Sequence, residues 1–199
     1  MATQQRAEET RSNILAAAAA GFAEQGYDAT GVAEICRRAG VSKGAFYYHF
    51  SSKQDLFLEL LQRWLAALDE QLEQVRTGET PVPAQLFAMT GMIRQVFQVA
   101  EEQLPIFLEF WTKAARDPRV WEATNAPYRR YRAFFASLIE SGVTEGTLRS
   151  VDPDTAARVI VSLAVGVVIQ GLLDTEGADW GDVAEGGMQM FLEGIERKE

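Results

Sequence analysis

Residues Val41–Leu61, VSKGAFYYHFSSKQDLFLELL, decide how this chain is to be read. Two tyrosines, the chain's only histidine and two lysines crowd around a few apolar residues. Phe46 and Phe50 are four positions apart and stack on one face of a helix. The opposite face then presents Lys43, Gly44, Ala45, Tyr47, Tyr48 and His49: donors, a cation and flat amphipathic rings, with no acid among them. Adjacent helix positions lie about 100° apart, so Tyr47 and Tyr48 cannot both share the narrow face held by the two phenylalanines. Ser42 precedes the helix, where its hydroxyl can accept an orphan N–H of the first turn. Ser51 and Ser52 end it.

Upstream, Ile14, Leu15, Ala18, Ala19 and Phe22 recur at helical spacing between Arg6 and Gln25, and QGYD stops that helix with glycine. A short helix from Val32 to Ala39 follows Thr30 and ends at Gly40. Helix, glycine turn and capped short helix is the layout of a helix-turn-helix unit. Its expected core is Val32, Ile35, Cys36, Ala39, Val41, Phe46 and Phe50. Downstream, Leu56, Phe57, Leu60, Leu61, Trp64, Leu65 and Leu68 mark one face of a long helix over Lys53–Arg76. TGETPVP then reads as a linker. Further helical patterns cover Pro83–Glu102, Pro105–Arg116, Pro118–Ser141, Pro153–Thr175 and Trp180–Arg197. Where Asp precedes Pro in their junctions, the pair suits a cap followed by the first helical position. Strand-like alternation is missing, so the expected fold class is all-α with about nine helices.

Composition narrows the function. The chain has 199 residues, 47% of them hydrophobic and 24% charged, enough for a real core in one or two units. The net charge of −9 is unevenly spread. Residues 1–55 carry six basic and six acidic groups, and the other 144 carry 13 and 22. A neutral first quarter on an acidic remainder suits a small polyanion-binding head on an acidic body. One cysteine, Cys36, and an N-terminus without an apolar run predict a cytoplasmic protein with no secretory signal. The apolar run Val159–Leu173 is 15 residues, too short to span a bilayer, which predicts a buried helix and no membrane partner. One His and one Cys supply too few N and S ligands for a metal, and no cofactor motif appears. Nor is there a Ser/His/Asp constellation or phosphate loop, so the chain is not expected to be an enzyme.

The segment ATGVAEICRRAGVSKGAFYYHFSSKQDLFLELL resembles the DNA-binding segment of TetR-family transcriptional repressors. The match spans about residues 8–61 and rests on Gly-Val-Ser-Lys-Gly at 40–44, Tyr-Tyr-His-Phe at 47–50 and Lys-Gln-Asp-Leu at 53–56. The resemblance implies a helix-turn-helix head over residues 1–52 and a helical effector-binding and dimerisation body over 53–199. It implies a homodimer through the last two helices, about 153–175 and 180–197, and a double-stranded DNA operator as partner. It also implies that Lys43, Gly44, Ala45, Tyr47, Tyr48 and His49 form the recognition surface, with Lys53 and the Thr30–Gly31 segment on phosphate. Lys43 and Tyr47 are expected to carry more of the base reading than small Ala45.

Several residues keep two readings. His49 is either a structural histidine or a phosphate donor, and inside this motif the second is preferred. Cys36 fits core packing better than redox sensing. Arg37 and Arg38 are either solvated or on phosphate. In the body, Trp64, Met89, Met92, Phe107, Glu109, Phe110, Trp111, Tyr128, Tyr131 and Phe135 are either core or the lining of a cavity for a small apolar or aromatic effector. Pro105 and Pro127 are expected to interrupt their helices and open that space. Glu109, within IFLEFW, needs a partner if buried. The apolar Pro153–Thr175 helix must be covered all round, in a chain this small by a second subunit. The function expected is a dimeric, ligand-responsive repressor on a pseudo-palindromic operator. One rival keeps the head but makes the protein an activator or a ligand-independent regulator. The other is a helical small-molecule carrier or enzyme without DNA binding. Effector, operator and regulated genes are not legible.

Overall fold

The computed structural model describes residues 2–76, 80–100 and 104–197; the side chains of 2, 3, 67, 75, 76, 98–100, 104, 105, 107, 109 and 110 lie outside that description. Among the described residues the chain is helical throughout: α1 (Ala2–Gln25), α2 (Val32–Ala39), α3 (Lys43–His49), α4 (Lys53–Arg76), α5 (Val82–Ala88), α6 (Thr90–Ala100), α7 (Leu104–Ala114), α8 (Pro118–Glu145), α9 (Pro153–Leu173) and α10 (Trp180–Ile195). The caps expected where Asp precedes Pro form, at Asp152 and Asp117, and a third stands at Asp179. Asp152 accepts the Thr155 N–H at 2.8 Å ahead of α9, Asp179 accepts the Asp182 N–H at 3.0 Å ahead of α10, and Asp117 accepts the Arg119 N–H at 2.8 Å ahead of α8.

The helix pattern departs from expectation at one split and at two prolines. The pattern over 83–102 is two helices, α5 and α6, because the Thr90 hydroxyl donates to the Phe87 carbonyl at 2.7 Å and the Met92 N–H tightens onto Met89 O. Gly91 stands just after the step, while Met89 itself stays near helical backbone angles. Pro105 does not interrupt α7 but stands in its first turn, where the missing N–H is an orphan anyway. Pro127 does not end α8 either; the helix runs 28 residues through it, losing one rung of its ladder.

The residues group into two compact units, Met1–Ala66 with Glu101–Thr124, and Ala67–Ala100 with Asn125–Glu199. The helices α4 and α8 each contribute to both. In the first unit, Ile14, Leu15, Ala18 and Phe22 of α1 are buried, as are Ile35, Cys36, Phe46, Phe50, Leu56, Phe57, Leu61 and Leu65. Phe22, Tyr27 and Phe57 form a ring cluster with centroids 4.5–5.6 Å apart. Each fully buried phenylalanine contributes about 1.5–3 kcal/mol relative to exposure.

The second unit's core is Leu72, Val82, Leu86, Met89, Met92, Phe135, Leu138, Ile139, Leu148, Ala156, Ala157, Ile160, Met188, Leu192 and Ile195. Close packing there depends on absent side chains. A Cβ on Gly171 would collide with the Phe97 ring, and one on Gly181 would meet the Arg94 guanidinium at 2.6 Å. Arg94 spends that access on Asp179 (3.0 Å) and Asp182 (2.6 Å) at the start of α10. Trp180 donates its indole N–H to Asp174 O at 2.8 Å. After α10 the chain returns to the α8–α9 turn: the Arg149 N–H donates to Ile195 O (2.9 Å) and the Arg197 N–H to Thr147 O (3.2 Å).

The helix α9 has 21 residues, so the argument that the apolar run is too short to cross a bilayer does not hold: length and composition alone would allow it. Its inner side, Ala156, Ala157, Ile160, Val167, Val168 and Gly171, is buried in the second unit. Its outer side is not covered by the described residues, and Val159 and Leu173 are exposed.

Candidate nucleic-acid interface

Two local signals two residues apart shape the turn between α2 and α3. Gly40 takes φ 66°, the left-handed region, which lets its N–H reach Arg37 O (3.4 Å) and the Val41 N–H reach Cys36 O (3.0 Å). Ser42 then returns to extended backbone, and its hydroxyl oxygen accepts the Ala45 N–H at 3.1 Å. The third helix is thereby launched with its phenylalanines inward. Phe46 and Phe50 are buried, while Tyr47 is 55% and Tyr48 80% exposed. Ser42, Lys43 and Gly44 are exposed, and Ala45 and His49 half-buried. Tyr47 packs edge-on against Phe46 (5.2 Å), and His49 edge-on against Tyr48 (4.9 Å). A Cβ on Gly44 would meet only the Ser42 hydroxyl at 3.7 Å, so a ligand backbone can approach closely there.

This face holds no carboxylate, whereas the arginines of α2 are already engaged. Arg37 donates twice to Glu34 (2.6 and 2.8 Å). Arg38 bridges Glu34 (2.7 Å) and Glu24 of α1 (2.7 and 3.0 Å). Bonding first from Arg37 and then from Arg38 pulls the Glu34 carboxyl down from 4.5 to about 2. Both arginines are thus paired with acids, Arg37 within α2 and Arg38 with α1 as well.

Thr30 and Lys53 are placed differently from the rest of the expected site. Thr30 is fully buried, and its hydroxyl lies 2.8 Å from Gly21 O and 2.9 Å from Gly26 O. Its backbone is engaged too, the N–H donating to Gly26 O at 3.3 Å. Gly31 is exposed and caps α2 without a side-chain bond, so the first N–H groups of that helix stand open. The Lys53 ammonium donates to Tyr27 O (2.8 Å) and Thr30 O (3.2 Å). Sequence reading missed three further residues at this turn: Tyr27, Asp28 and Lys113, the last pairing with Asp28 at 2.6 Å. The only signal was QGYD, which reads as a helix stop. Arg11 was also missed; it lies 5.2 Å from the Phe50 centroid and pairs with Glu59 at 2.9 Å.

The expected effector residues are divided between the two units. Met89, Met92 and Phe135 are buried in the second unit's core, with Tyr131 packed against it and Tyr128 half-buried. Burial, with the Asp69 carboxylate nearby, holds the Tyr131 hydroxyl far above its ordinary value. Trp64 and Trp111 are half-buried in the first unit. The side chains of Phe107, Glu109 and Phe110 lie outside the described residues. An open groove of about 920 Å³ in the second unit is lined by Pro81, Pro83, Phe87, Leu192, Glu193 and Arg197 among others, and by none of the expected residues.

Residues 14–60 match the family model described as bacterial regulatory proteins, tetR family, and residues 88–185 that of the BetI-type transcriptional repressor, C-terminal. The chain is 30% identical over 154 residues to the HTH-type transcriptional repressor KstR2 of Mycobacterium tuberculosis, covering 75% of each chain. It is also 30% identical over 192 residues to the A-factor receptor protein of Streptomyces griseus, covering 93% of this chain and 63% of that protein's length. Among solved structures it resembles SmeT in complex with triclosan, at 25% identity and a TM-score of 0.82, covering 95% of this chain and 92% of that one. SmeT is the repressor of the Stenotrophomonas maltophilia multidrug efflux pump SmeDEF. The helix-turn-helix, its acid-free outer face and these matches agree: the chain belongs to the TetR family of transcriptional regulators, DNA-binding transcription factors and not enzymes.

Proposed function

We propose that this regulator is a homodimeric repressor that reads a pseudo-palindromic operator in the cytoplasm and is released by a small apolar or aromatic effector. The observation that carries the DNA half is the outer face of α3, with Lys43, Gly44, Tyr47 and Tyr48 exposed and no carboxylate beside them. Lysine neutralises phosphate, tyrosine hydroxyls donate to it, and the ring faces can pack on thymine methyls in a major groove. His49, half-buried at the end of the same helix, and Ala45 complete that surface. The open backbone at Gly31 adds a phosphate site at the start of α2. In this reading the head is residues 1–52 and the remainder is the regulatory body.

The dimer half rests on α9 and α10. Val159, Leu173, Val183 and Met190 are exposed, and a Cβ added at Gly166, Gly186 or Gly194 would meet nothing within 4 Å. Pairing these faces by a two-fold axis would set two recognition helices about 34–36 Å apart, one DNA turn. The helix α4, which like α8 contributes to both units, is the path by which effector binding would alter head spacing. The coupling needed is about 1–3 kcal/mol. SmeT was solved with triclosan, and a ligand of that apolar, aromatic kind is the class proposed here.

The test is a double variant, Lys43→Ala with Tyr47→Ala, in a binding assay on the DNA flanking the protein's own gene, with a scrambled fragment as control. Selective binding that weakens steeply with salt in the native protein, and falls at least tenfold in the variant while the dimer persists, supports the reading. Full affinity in the variant sinks it.

A further inference from the structure

Lysine ammonium groups commonly contact DNA phosphates, and the resemblance implies that role for the lysine at the start of α4. Lys53 occupies that position, but its ammonium points into the protein. It donates to Tyr27 O at 2.8 Å and Thr30 O at 3.2 Å, and sits 4.1 Å from the centre of the Tyr27 ring. Both carbonyls belong to the turn that joins α1 to α2. The rest of that turn is held as firmly. The Tyr27 ring lies 4.5 Å from Phe57 and 5.2 Å from Phe22. The Thr30 hydroxyl is tied to Gly21 O and Gly26 O. Lys113 of α7 pairs with Asp28 at 2.6 Å and lies 4.9 Å from the same Tyr27 ring. Burial raises the Tyr27 hydroxyl above its usual range, so the ring remains a neutral phenol between two ammonium groups.

This turn delivers Gly31, whose open cap aims the first N–H groups of α2 outward. The position of those donors follows from the position of the two carbonyls that Lys53 binds. We infer that Lys53 is a positioning residue: it sets DNA affinity by bracing the Tyr27–Thr30 turn, and with it the phosphate-binding start of α2, instead of neutralising a phosphate itself. The inference rests on the DNA-binding reading above.

Salt dependence separates the two roles, because each phosphate neutralised by a cation contributes about 0.9 to the slope of log K against log salt. The probe is a duplex selected from random sequence by the native protein, titrated at several KCl concentrations. Lys53→Met is expected to lower affinity tenfold or more with the native slope retained, whereas Lys43→Met reduces the slope by about 0.9. A Lys53→Met slope reduced by about 0.9, or an affinity unchanged, overturns the inference. If Lys53→Met does not fold, Lys53→Gln replaces it. That variant keeps N–H donors without charge, so the native slope with less than a tenfold loss supports the brace, and a slope reduced by about 0.9 overturns it. Amide hydrogen exchange over residues 26–35 of the DNA-free protein gives an independent readout. Exchange several-fold faster in the variant supports the brace, and native protection overturns it. If the native protein selects no duplex, the DNA-binding reading fails while hydrogen exchange still decides whether Lys53 braces the turn.

Discussion

Among the described residues, the third and ninth helices both leave a face uncovered, with opposite chemistry. Lys43, Gly44, Tyr47 and Tyr48 of α3 expose an ammonium, bare backbone and two phenols. Val159 and Leu173 of α9, with Val183 and Met190 of α10, expose hydrocarbon and a thioether. Polar donors can exchange water for phosphate oxygens and base edges at little net loss. Hydrocarbon gains only by shedding water against more hydrocarbon. An exposed face thus indicates its partner by what it would lose on drying. On the reading proposed above, α3 faces nucleic acid and α9 with α10 faces a second copy of the chain.

The comparison breaks most visibly if the apolar face has no partner. Val159→Asp combined with Met190→Asp is expected to yield monomers in sedimentation velocity and to cost about 10²–10⁴ in operator affinity, since the second head is no longer tethered. A variant that stays dimeric with native affinity would remove the distinction. Within α3 the contrast sharpens to single residues. Phe46→Ala is expected to cost about 3–5 kcal/mol in denaturant unfolding, while Tyr48→Ala, 80% exposed, stays within about 0.5 kcal/mol. Equal costs would mean that the helix has no inner and outer side.

The smallest expected effect concerns acid. Glu34 sits at about 2, below the 4.5 that it returns to on unfolding. Folding therefore favours its ionised form. Its contribution is complete above pH 4.5 and is lost as pH falls from there towards 2. Glu34→Gln should flatten the acid-side decline of the thermal midpoint across that window. An unchanged profile would show that the Arg37 and Arg38 pairs contribute nothing measurable, as exposed pairs can.

Legibility followed locality. Gly40, Ser42, Phe46 and the Asp caps act on neighbours within a turn, so spacing alone exposes them. The split at Met89 depends on one Thr90 hydroxyl reaching back to Phe87 O, a choice that Thr does not advertise. Thr30 and Lys53 looked like surface donors because their acceptors, Gly21 O and Tyr27 O, lie on elements that only the folded chain brings close. The aromatic residues of the body were legible as apolar and no further. Met89, Met92 and Phe135 serve one core, and Trp64 and Trp111 belong to the other unit. Periodicity assigns a side chain to the inside without saying which inside.

The chain's four tryptophans are divided unevenly between the units. Trp64, Trp111 and Trp121 belong to the first, and Trp180 alone to the second, with its indole N–H on Asp174 O. Replacing the first three with phenylalanine leaves a single emitter at the start of α10. Its quenching or spectral shift then reports on the second unit only, and the lost signal on the first. Equilibrium unfolding followed by the two proteins side by side would reveal whether both units melt as one, with no external dye attached.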